Sequence, residues 1–351
     1  MPALDDEDTR GPDDAGFAIQ FYTWRMRARN DTAALSEFDL IAKFFTRPAR
    51  HTVLGVGDDA ALLAVSPGHE LVASTDMMVE GVHFFADVDA DALGHKVLAV
   101  NLSDLAAMGA IPKWAMLSLA LPAAEPEWLE RFARGFFMLA DRHDVDLIGG
   151  DTTRGPRNLC VQIMGEIEAG KALRRDGAKA GDDVWVSGHL GDAAAAVAHR
   201  KGELLLRGSA LAHCVARLDR PVPRVELGRG LIGLAHAAID VSDGLVADLG
   251  HICERSGVGA RVAFESLPCS PELMPLRGYE PVVRALLAGG DDYELCFTAP
   301  RDRRTDIDAL SGKLGIALSL VGTIVQGAGV EVRDARGRTL ALKEKGFDHF
   351  R

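Results

Sequence analysis

The spacing of apolar and polar residues predicts a mixture of short strands and amphipathic helices from residue 36 onward. Helical spacing over 36–45, with Ser36 as N-cap, and over 91–108 predicts two helices. Apolar runs predict strands at about 52–56, 60–65, 70–75, 114–121, 145–148 and 159–167, with another helix at 126–142. Because strands and helices do not alternate strictly, the pattern indicates an α+β fold and not a doubly wound sheet.

A polar segment with several turn residues, 171–181, interrupts this pattern and predicts a domain boundary. Beyond it we expect strands at 183–188, 238–243, 260–264, 293–298 and 319–325, helices opening at Gly191 and Gly244, a helical stretch near 224–237 and a hairpin at 335–337. A length of 351 residues favours two domains. The prediction is an N-terminal extension over 1–34, an N-terminal domain over 35–170 and a C-terminal domain over 171–351.

Composition narrows the class of protein. The chain is 48% apolar and 26% charged, as in ordinary globular proteins. Its net charge of −12 argues against nucleic-acid or anionic-membrane binding, but not against a nucleotide site, because bound metal ions invert the local sign. Three features predict a cytoplasmic location. The five cysteines are scattered, no signal peptide is evident, and no apolar run approaches the ~20 residues needed to span a bilayer.

Acidic residues recur at the predicted ends of strands. Gly57-Asp58-Asp59 lies between two apolar runs, and Ser74-Thr75-Asp76 ends a third. Carboxylates gathered at one end of a sheet repel each other unless a cation lies between them. A hard divalent metal ion would suit this position, because it takes oxygen ligands and commonly binds substrate phosphates as well. Alone, 57–59 is as readily a plain turn. A dinucleotide fingerprint at 55–60 is rejected, since no helix follows its glycines.

Later motifs repeat this chemistry. In Gly149-Gly150-Asp151-Thr152-Thr153-Arg154 two glycines permit close approach to a phosphate, and Asp151 can bind a metal. In the stretch 240–244, Asp240 needs a partner if it is buried, whereas Asp243 is either a metal ligand or simply a helix N-cap. The stretch 289–294 carries another glycine–acid turn.

Other candidates are weak on their own. A lone histidine such as His83 is more often structural, and Asp104 on a helix is normally solvated. Arg174 and Arg175 are either a solvated pair or reach a phosphate from the domain junction. The chain has no G-x-x-x-x-G-K-[ST], H-R-D or D-F-G motif and no evident Ser–His or Cys–His nucleophile set. The chemical groups that remain are carboxylates and glycine turns. They suit phosphoryl transfer, because positioning and charge neutralisation provide most of its catalysis.

These motifs together resemble the thiamine-monophosphate kinase family, within the aminoimidazole ribonucleotide synthetase-like superfamily. The resemblance runs from about Ser36 to Phe350 and rests on SEFDLIAKFF, GVGDDAALL, STDMMVEGVHF, KVLAVNLSDLAAMGA, LIGGDTTRG, IDVSDGLVADLGHI, GGDDYELCFT and GFDHF. It implies a two-domain fold of mixed sheets flanked by helices. It also implies a homodimer paired through the N-terminal domains, and transfer of the ATP γ-phosphate to thiamine monophosphate with several Mg²⁺ ions.

The resemblance also implies roles for individual residues. The implied magnesium ligands are Asp59, Ser74, Thr75, Asp76, Asp104, Asp151, Asp240 and Asp243, of which Asp76, Asp151 and Asp240 are the catalytic candidates. The implied ATP contacts are Gly150, Asp151, Arg175 and Ser242, and the implied thiamine-phosphate contacts are His83, Asp292 and Phe347. The acceptor is already an ionised phosphate, so we expect direct in-line transfer with no phosphoenzyme and little need for a general base.

Three rival functions fit the sequence less well. Selenophosphate synthetase would need a cysteine before Cys160, and the hydrogenase-maturation relative carries a C-terminal cysteine, whereas this chain ends in Phe350-Arg351. A nucleotide- or metal-binding regulator without turnover would have lost acidic ligands, and none of the matched aspartates is missing.

Overall fold

The computed structural model describes residues 36–341 and Gly346. Helix α1 (Glu37–Leu40) begins at the predicted N-cap, Ser36, whose Oγ accepts from the Asp39 N–H while the Asp39 carboxylate accepts from the Ser36 N–H. This reciprocal pair is a capping box, and the helix continues as one π-helical turn, Ile41–Phe45. The N-cap prediction is confirmed, whereas the predicted extension over 1–34 lies outside the described residues.

The first half is built on a mixed four-stranded sheet. Its elements in chain order are β1 (Thr52–Leu54), β2 (Leu62–Leu63), β3 (His69–Val79), α2 (Ala90–Met108), β4 (Ile111–Leu121), α3 (Pro126–Arg142), β5 (Asp146–Arg154) and β6 (Asn158–Glu168). The sheet order is β3-β6-β4-β5, in which β4 and β5 are parallel and the other pairs antiparallel; β1 and β2 pair separately. The Gly57–Asp59 motif lies in the connection between β1 and β2.

Two of these strands run further than the sequence predicts. The prediction that β3 ends at Ser74–Asp76 is wrong, because its ladder with β6 continues to the Val79–Asn158 pair. Likewise β5 does not end before the glycines but pairs with β4 as far as Arg154. The motifs therefore lie within strands. Since side chains alternate along a strand, Ser74 and Asp76 face one side of the sheet and Thr75 the other.

Helix α2 is buried along almost its whole length. It packs against α3 and the four-stranded sheet, and it also contacts elements of the second half. Its polar Asn101 is fully buried and satisfied, because Nδ2 donates to the Val97 carbonyl and Oδ1 accepts from the Asp76 N–H. A helix that is apolar on nearly all sides is a core helix. α2 therefore fixes the position of β3, and of Asp76 within it.

The second half is built on a mixed six-stranded sheet. Its elements are β7 (Asp183–Ser187), α4 (Asp192–Arg200), α5 (Gly208–Asp219), α6 (Val225–Gly230), β8 (Ala237–Val241), α7 (Leu245–Ser256), β9 (Gly259–Ala263), α8 (Glu280–Ala288), β10 (Glu294–Ala299), α9 (Arg304–Leu314), β11 (Leu318–Val325) and β12 (Gly329–Arg333). The order is β12-β9-β11-β7-β10-β8, in which β12 and β9 are parallel and the other pairs antiparallel.

The α+β class is confirmed, while some elements differ from prediction. The helical stretch predicted near 224–237 ends at Gly230 as α6, and a turn then leads into β8. The sequence reasoning did not predict helices α5, α8 and α9. The turn at 335–337 is present, since the Gly337 N–H donates to the Asp334 carbonyl. Within the described part of the chain, no helix is both long and apolar enough to cross a membrane.

Candidate active site

Carboxylates from both halves meet beside the buried helix α2. Asp76 comes from β3, Asp104 from α2 and Asp240 from the end of β8. Two neighbouring hydroxyl groups orient them: Ser74 Oγ donates to Asp104 Oδ2 at 2.5 Å, and Ser103 Oγ donates to Asp240 Oδ2 at 2.8 Å. Residues more than 130 positions apart thus contribute to one acidic group, which we call the acidic cluster (Asp76, Asp104, Asp240 and Asp243).

The electrostatics of the acidic cluster are those of anions held close together. Burial first, then Asp104 and Asp243, raise the pKa of Asp76 to about 6. Burial, and next Asp104, raise the pKa of Asp240 to about 8. The pKa of Asp104 is also raised by burial, although the Ser74 hydrogen bond and Arg175 oppose the shift. Such carboxylates favour any bound cation that offsets their charge.

The loop after β8 is held by a residue that the sequence reasoning missed. The Asp248 carboxylate in α7 accepts hydrogen bonds from the backbone N–H groups of Ser242, Asp243 and Gly244 at 3.0–3.1 Å. Burial raises the pKa of Asp248 to about 7, and Asp243 adds to the shift. Gly244 takes the N-cap position, so the alternative role of Asp243 as N-cap is wrong. An acid in the first turn of a helix was the available signal.

A cavity of about 890 Å³ opens over the acidic cluster. Its walls combine these carboxylates and Ser242 with apolar and aromatic side chains, including Met78, Phe84, Phe85, Val100 and Val197. A large cleft with apolar walls and a few converging polar groups is the usual form of a small-molecule site. The cavity therefore suits a ligand with an aromatic ring whose charged part is a cation, or an anion bound through a metal ion.

His83 lies in the wall of this cavity, in the loop after β3. Its Nδ1 lies 3.0 Å from the Val79 backbone nitrogen, and because an amide N–H can only donate, Nδ1 is the acceptor. In the neutral ring the proton is therefore carried by Nε2, which is a hydrogen-bond donor.

A second cavity of about 520 Å³ lies on β5 and the β1–β2 connection. Its lining includes Asp59, Gly150 and Asp151 together with apolar side chains of Phe38, Ile41, Phe45 and Leu147. Leu147 pairs with Ala115 and Gly149 with Met116, so Ile148 is an extra residue that forms a bulge immediately before the glycines. The structure thus places Asp59, Gly150 and Asp151 in a different cavity from the acidic cluster.

The comparisons with known proteins cover most of the chain. Residues 57–167 match the N-terminal domain, and 179–335 the C-terminal domain, of AIR synthase related proteins. The chain is 45% identical to the thiamine-monophosphate kinase of Salmonella typhimurium, over 90% of this chain and 99% of that protein. The chain belongs to the thiamine-monophosphate kinase family.

Solved structures of the family share this fold. The thiamine-monophosphate kinase of Stenotrophomonas maltophilia K279a is 50% identical with a TM-score of 0.77, covering 83% of this chain and 92% of that one. AaThiL complexed with AMPPCP and TMP is 32% identical with a TM-score of 0.72, covering 93% and 100%.

Several residues that the family resemblance implies lie away from the larger cavity. Thr75 Oγ1 donates to the Val161 carbonyl at 3.1 Å, on the sheet face opposite Asp76. The Asp292 carboxylate is buried and accepts the Gly191 N–H at 2.9 and 3.0 Å, and burial raises its pKa well above the usual range. Asp291, its neighbour, lines the cavity instead. Phe347 lies outside the described residues.

The two arginines at the domain junction differ. Arg174 forms a two-point ion pair with Asp176, at 2.6 and 2.9 Å, and both residues are exposed. Arg175 is near enough to Asp104 to oppose part of the rise that burial causes in the pKa of that carboxyl group. Of the open alternatives for this pair, Arg174 is therefore a solvated arginine, and Arg175 is electrostatically coupled to the acidic cluster.

The acidic cluster offers the kind of donor atoms that the implied magnesium site would need. All side-chain donors there are carboxylate or hydroxyl oxygens, the ligands that Mg²⁺ prefers, and their charges are mutually repulsive. Among residues 36–341 and Gly346, no group of three or more His, Cys, Asp or Glu side chains is placed to hold a metal ion. Mg²⁺ usually takes one or two carboxylates, waters and substrate phosphates, so its site does not require such a group.

Proposed function

We infer that this protein uses ATP to phosphorylate thiamine monophosphate, and so produces thiamine diphosphate. The observation that carries the inference is the convergence of Asp76, Asp104 and Asp240 beside a cavity with aromatic walls, in a chain that aligns over the full length of its kinase relatives. AaThiL has been solved with AMPPCP and TMP together, which supports ATP and thiamine monophosphate as the two substrates here.

We assign the metal-binding role to the carboxylates and hydroxyls that the family resemblance implies. They are Asp59, Ser74, Asp76, Asp104, Asp151, Asp240 and Asp243; Thr75 is left out because its hydroxyl donates to the Val161 carbonyl on the sheet face opposite Asp76. Bound Mg²⁺ ions would neutralise the charge of two phosphate groups that otherwise repel each other. Ser74 and Ser103 each donate to a cluster carboxylate and hold its oxygens in one orientation.

The nucleotide phosphates are assigned to Gly150, Asp151, Arg175 and Ser242. Gly150 and Asp151 both line the smaller cavity, which supports this role. On the acceptor side we assign His83 and Phe347 as the resemblance implies. Asp291 replaces Asp292 there, because Asp291 lines the larger cavity whereas Asp292 is buried against Gly191.

The chemistry follows from the ionised acceptor. A phosphate oxygen of thiamine monophosphate forms a bond to the γ-phosphorus of ATP, the bond from that phosphorus to the β–γ bridging oxygen breaks, and ADP leaves. No proton has to be removed from the nucleophile, so a general base is not required. The catalytic contribution of Asp76, Asp151 and Asp240 is to hold the charge-neutralising groups in place. We propose no phosphoenzyme.

We further propose a cytoplasmic homodimer paired through the first half. Leu71 and Met77 are 49% and 55% exposed on the face of β3 opposite α2. Exposed apolar side chains grouped on one sheet face are typical of an interaction surface, which supports this assembly.

An assay for thiamine diphosphate tests the function. Purified protein with ATP and Mg²⁺ is given thiamine monophosphate, with free thiamine as a parallel acceptor. We expect product from the monophosphate alone, and a fall in kcat of about 100-fold or more in Asp240→Asn, which retains the shape but not the charge. Asp306→Asn is the matched control, because Asp306 is exposed and pairs with Arg303. Mg²⁺-dependent ATP binding without ADP release on adding thiamine monophosphate would instead indicate a non-catalytic binder.

A further inference from the structure

A buried lysine joins the two halves of the protein beside the larger cavity. Lys96 lies in α2, in the first half, and only 2% of its side chain is exposed. Its Nζ donates to Asp291 Oδ2 at 3.3 Å, and Asp291 belongs to the turn before β10 in the second half. Lysine is rarely buried to this extent without a partner. The ion pair therefore ties α2 to this turn across the junction.

The turn that carries Asp291 has an unusual backbone. Asp291 has φ +67° and Tyr293 φ +50°, although residues with a side chain seldom adopt positive φ. The turn is held against the end of β8 and the residue after it. The Asp291 N–H donates to the Ser242 carbonyl at 2.9 Å, and the Tyr293 N–H donates to the Val241 carbonyl at 2.8 Å. Positions held in such conformations are concentrated at functional sites.

The Asp291 carboxylate is held from two sides. Lys96 donates to Oδ2, and the Tyr293 hydroxyl donates to Oδ1 at 3.1 Å. Asp291 and Tyr293 both line the cavity. Asp291 thus differs from Asp76 and Asp240, because a cation of the protein itself pairs with it.

A second carboxylate lies near the lysine. Burial raises the pKa of Asp219, at the end of α5, and Lys96 partly opposes this shift. Lys96 thus lies close to acids from two different elements of the second half, but its hydrogen bond is to Asp291.

We propose that Lys96 is a positioning residue of the acceptor site, which fixes the Asp291 carboxylate in the cavity wall. The proposal rests on the proposed function, in which Asp291 contacts thiamine monophosphate. Without Lys96, this carboxylate would be an unpaired anion close to the acidic cluster, and it would turn away or take up a metal ion. With Lys96 in place, the charge of the Asp291 carboxylate is balanced and its orientation is fixed. Its oxygens then present hydrogen-bond acceptors to the substrate in one geometry.

Four variants test the role of Lys96. They are Lys96→Met, Tyr293→Phe, Asp291→Asn and the double variant Lys96→Met/Asp291→Asn. We expect each single variant to raise KM for thiamine monophosphate, by about ten-fold in Lys96→Met, the size expected for loss of an oriented charged contact. We expect KM for ATP to change less than about two-fold, because the nucleotide is bound by other residues.

The double variant separates positioning from charge balance. It removes both charges, so it should recover the thermal stability lost in Lys96→Met, yet it should keep the raised KM because the carboxylate itself is gone. Recovery of both stability and KM would show that Lys96 only balances a buried charge and would overturn the proposal. Unchanged KM for thiamine monophosphate in Tyr293→Phe and Asp291→Asn would also overturn it.

A matched control uses a lysine ion pair that lies away from the cavity. Lys113 pairs with the buried Glu166 at 2.6 Å, and neither lines the cavity. Lys113→Met should lower stability while leaving both KM values unchanged. If the unaltered protein forms no thiamine diphosphate, the proposed function fails. If the unaltered protein is active and Lys96→Met has normal KM values, the role of Lys96 alone fails.

Discussion

At the scale of the residue, Gly150 shows how closely the backbone of β5 approaches β4. A Cβ at this position would overlap the carbonyl oxygen of Leu117, and the backbone has φ +149°. Gly149, one position earlier, would place a Cβ 3.7 Å from the Met116 Cε, which is an ordinary contact. The two adjacent glycines are therefore not equivalent, although the sequence predicts the same role for both.

Alanine substitutions at Gly149 and Gly150 should differ in their effect on the free energy of unfolding. We expect Gly150→Ala to destabilise the protein by roughly 2–4 kcal/mol, because β4 and β5 must separate or the backbone must change its conformation. Gly149→Ala should cost less than about 1 kcal/mol. Denaturant unfolding of both variants measures the difference, and equal losses would contradict the close approach of Gly150 to β4.

Side-chain identity was predictable at this scale, whereas side-chain direction was not. The acids of the cluster were recognised from their motifs. Asp291 and Asp292 are adjacent and chemically identical, yet the structure buries Asp292 against Gly191 and turns Asp291 toward the cavity. The positive φ at Asp291 decides this, and no pattern of apolar residues reveals it.

At the scale of the element, the length of β3 decides which side chains can act together. The sequence predicts that the strand ends at Ser74–Asp76, where three side chains could converge on one ligand. The strand instead continues to Val79, so Thr75 lies on the opposite face and contacts the Val161 carbonyl. For β3 the apolar run predicts the start to within one residue but not the end, because the ladder with β6 determines how far the strand extends.

Helix α2 also carries a histidine, His95, whose ionisation makes the stability of the protein depend on pH. His95 Nε2 lies 2.8 Å from the Pro221 carbonyl oxygen, so Nε2 carries the proton and donates. Burial lowers the pKa of His95, and Arg220 and Arg142 lower it further. Because its pKa is lower in the folded than in the unfolded protein, its contribution to stability is present above about pH 6.5 and decreases as the pH falls.

A pH series with His95→Gln tests this effect. Glutamine keeps an N–H donor but does not ionise. Between about pH 7.5 and 5.5 we expect the Tm of the unaltered protein to fall more steeply than that of the variant, because the unfolded chain gains a proton more readily there. Thermal unfolding monitored by circular dichroism measures both slopes, and parallel slopes would contradict the assignment.

At the scale of the whole molecule, α2 is shared by the two halves. On one side it packs against the four-stranded sheet, and on the other it contacts α6 and β8. Ser103 and Asp104 are adjacent in α2; Ser103 bonds Asp240 of the second half, and Asp104 accepts from Ser74 of the first. The acidic cluster is therefore assembled by the packing of the halves against α2.

The contact between α2 and α6 tests this dependence. A Cβ at Gly228 would overlap the carbonyl of Ala106, so Gly228→Ala must push α6 away from α2. We expect a lower Tm and a higher Mg²⁺ concentration for half-maximal activity. In Gly250→Ala, the control in α7, the new Cβ meets no atom within 4 Å, and stability should rise by up to ~1 kcal/mol. If Gly228→Ala is destabilised but its Mg²⁺ dependence is unchanged, the acidic cluster does not depend on the packing of α6 against α2.

The sequence alone determined the α+β class, the family, the acidic motifs and the kind of chemistry, because these depend on local residue pattern and on residue type. The tertiary structure decided which acids meet, the division between two cavities, the support of the Ser242 loop by Asp248 and the pairing of Lys96 with Asp291. These contacts join residues up to about 195 positions apart. Their partners are chosen by how α2 and the two sheets pack, and local pattern carries no information about that packing.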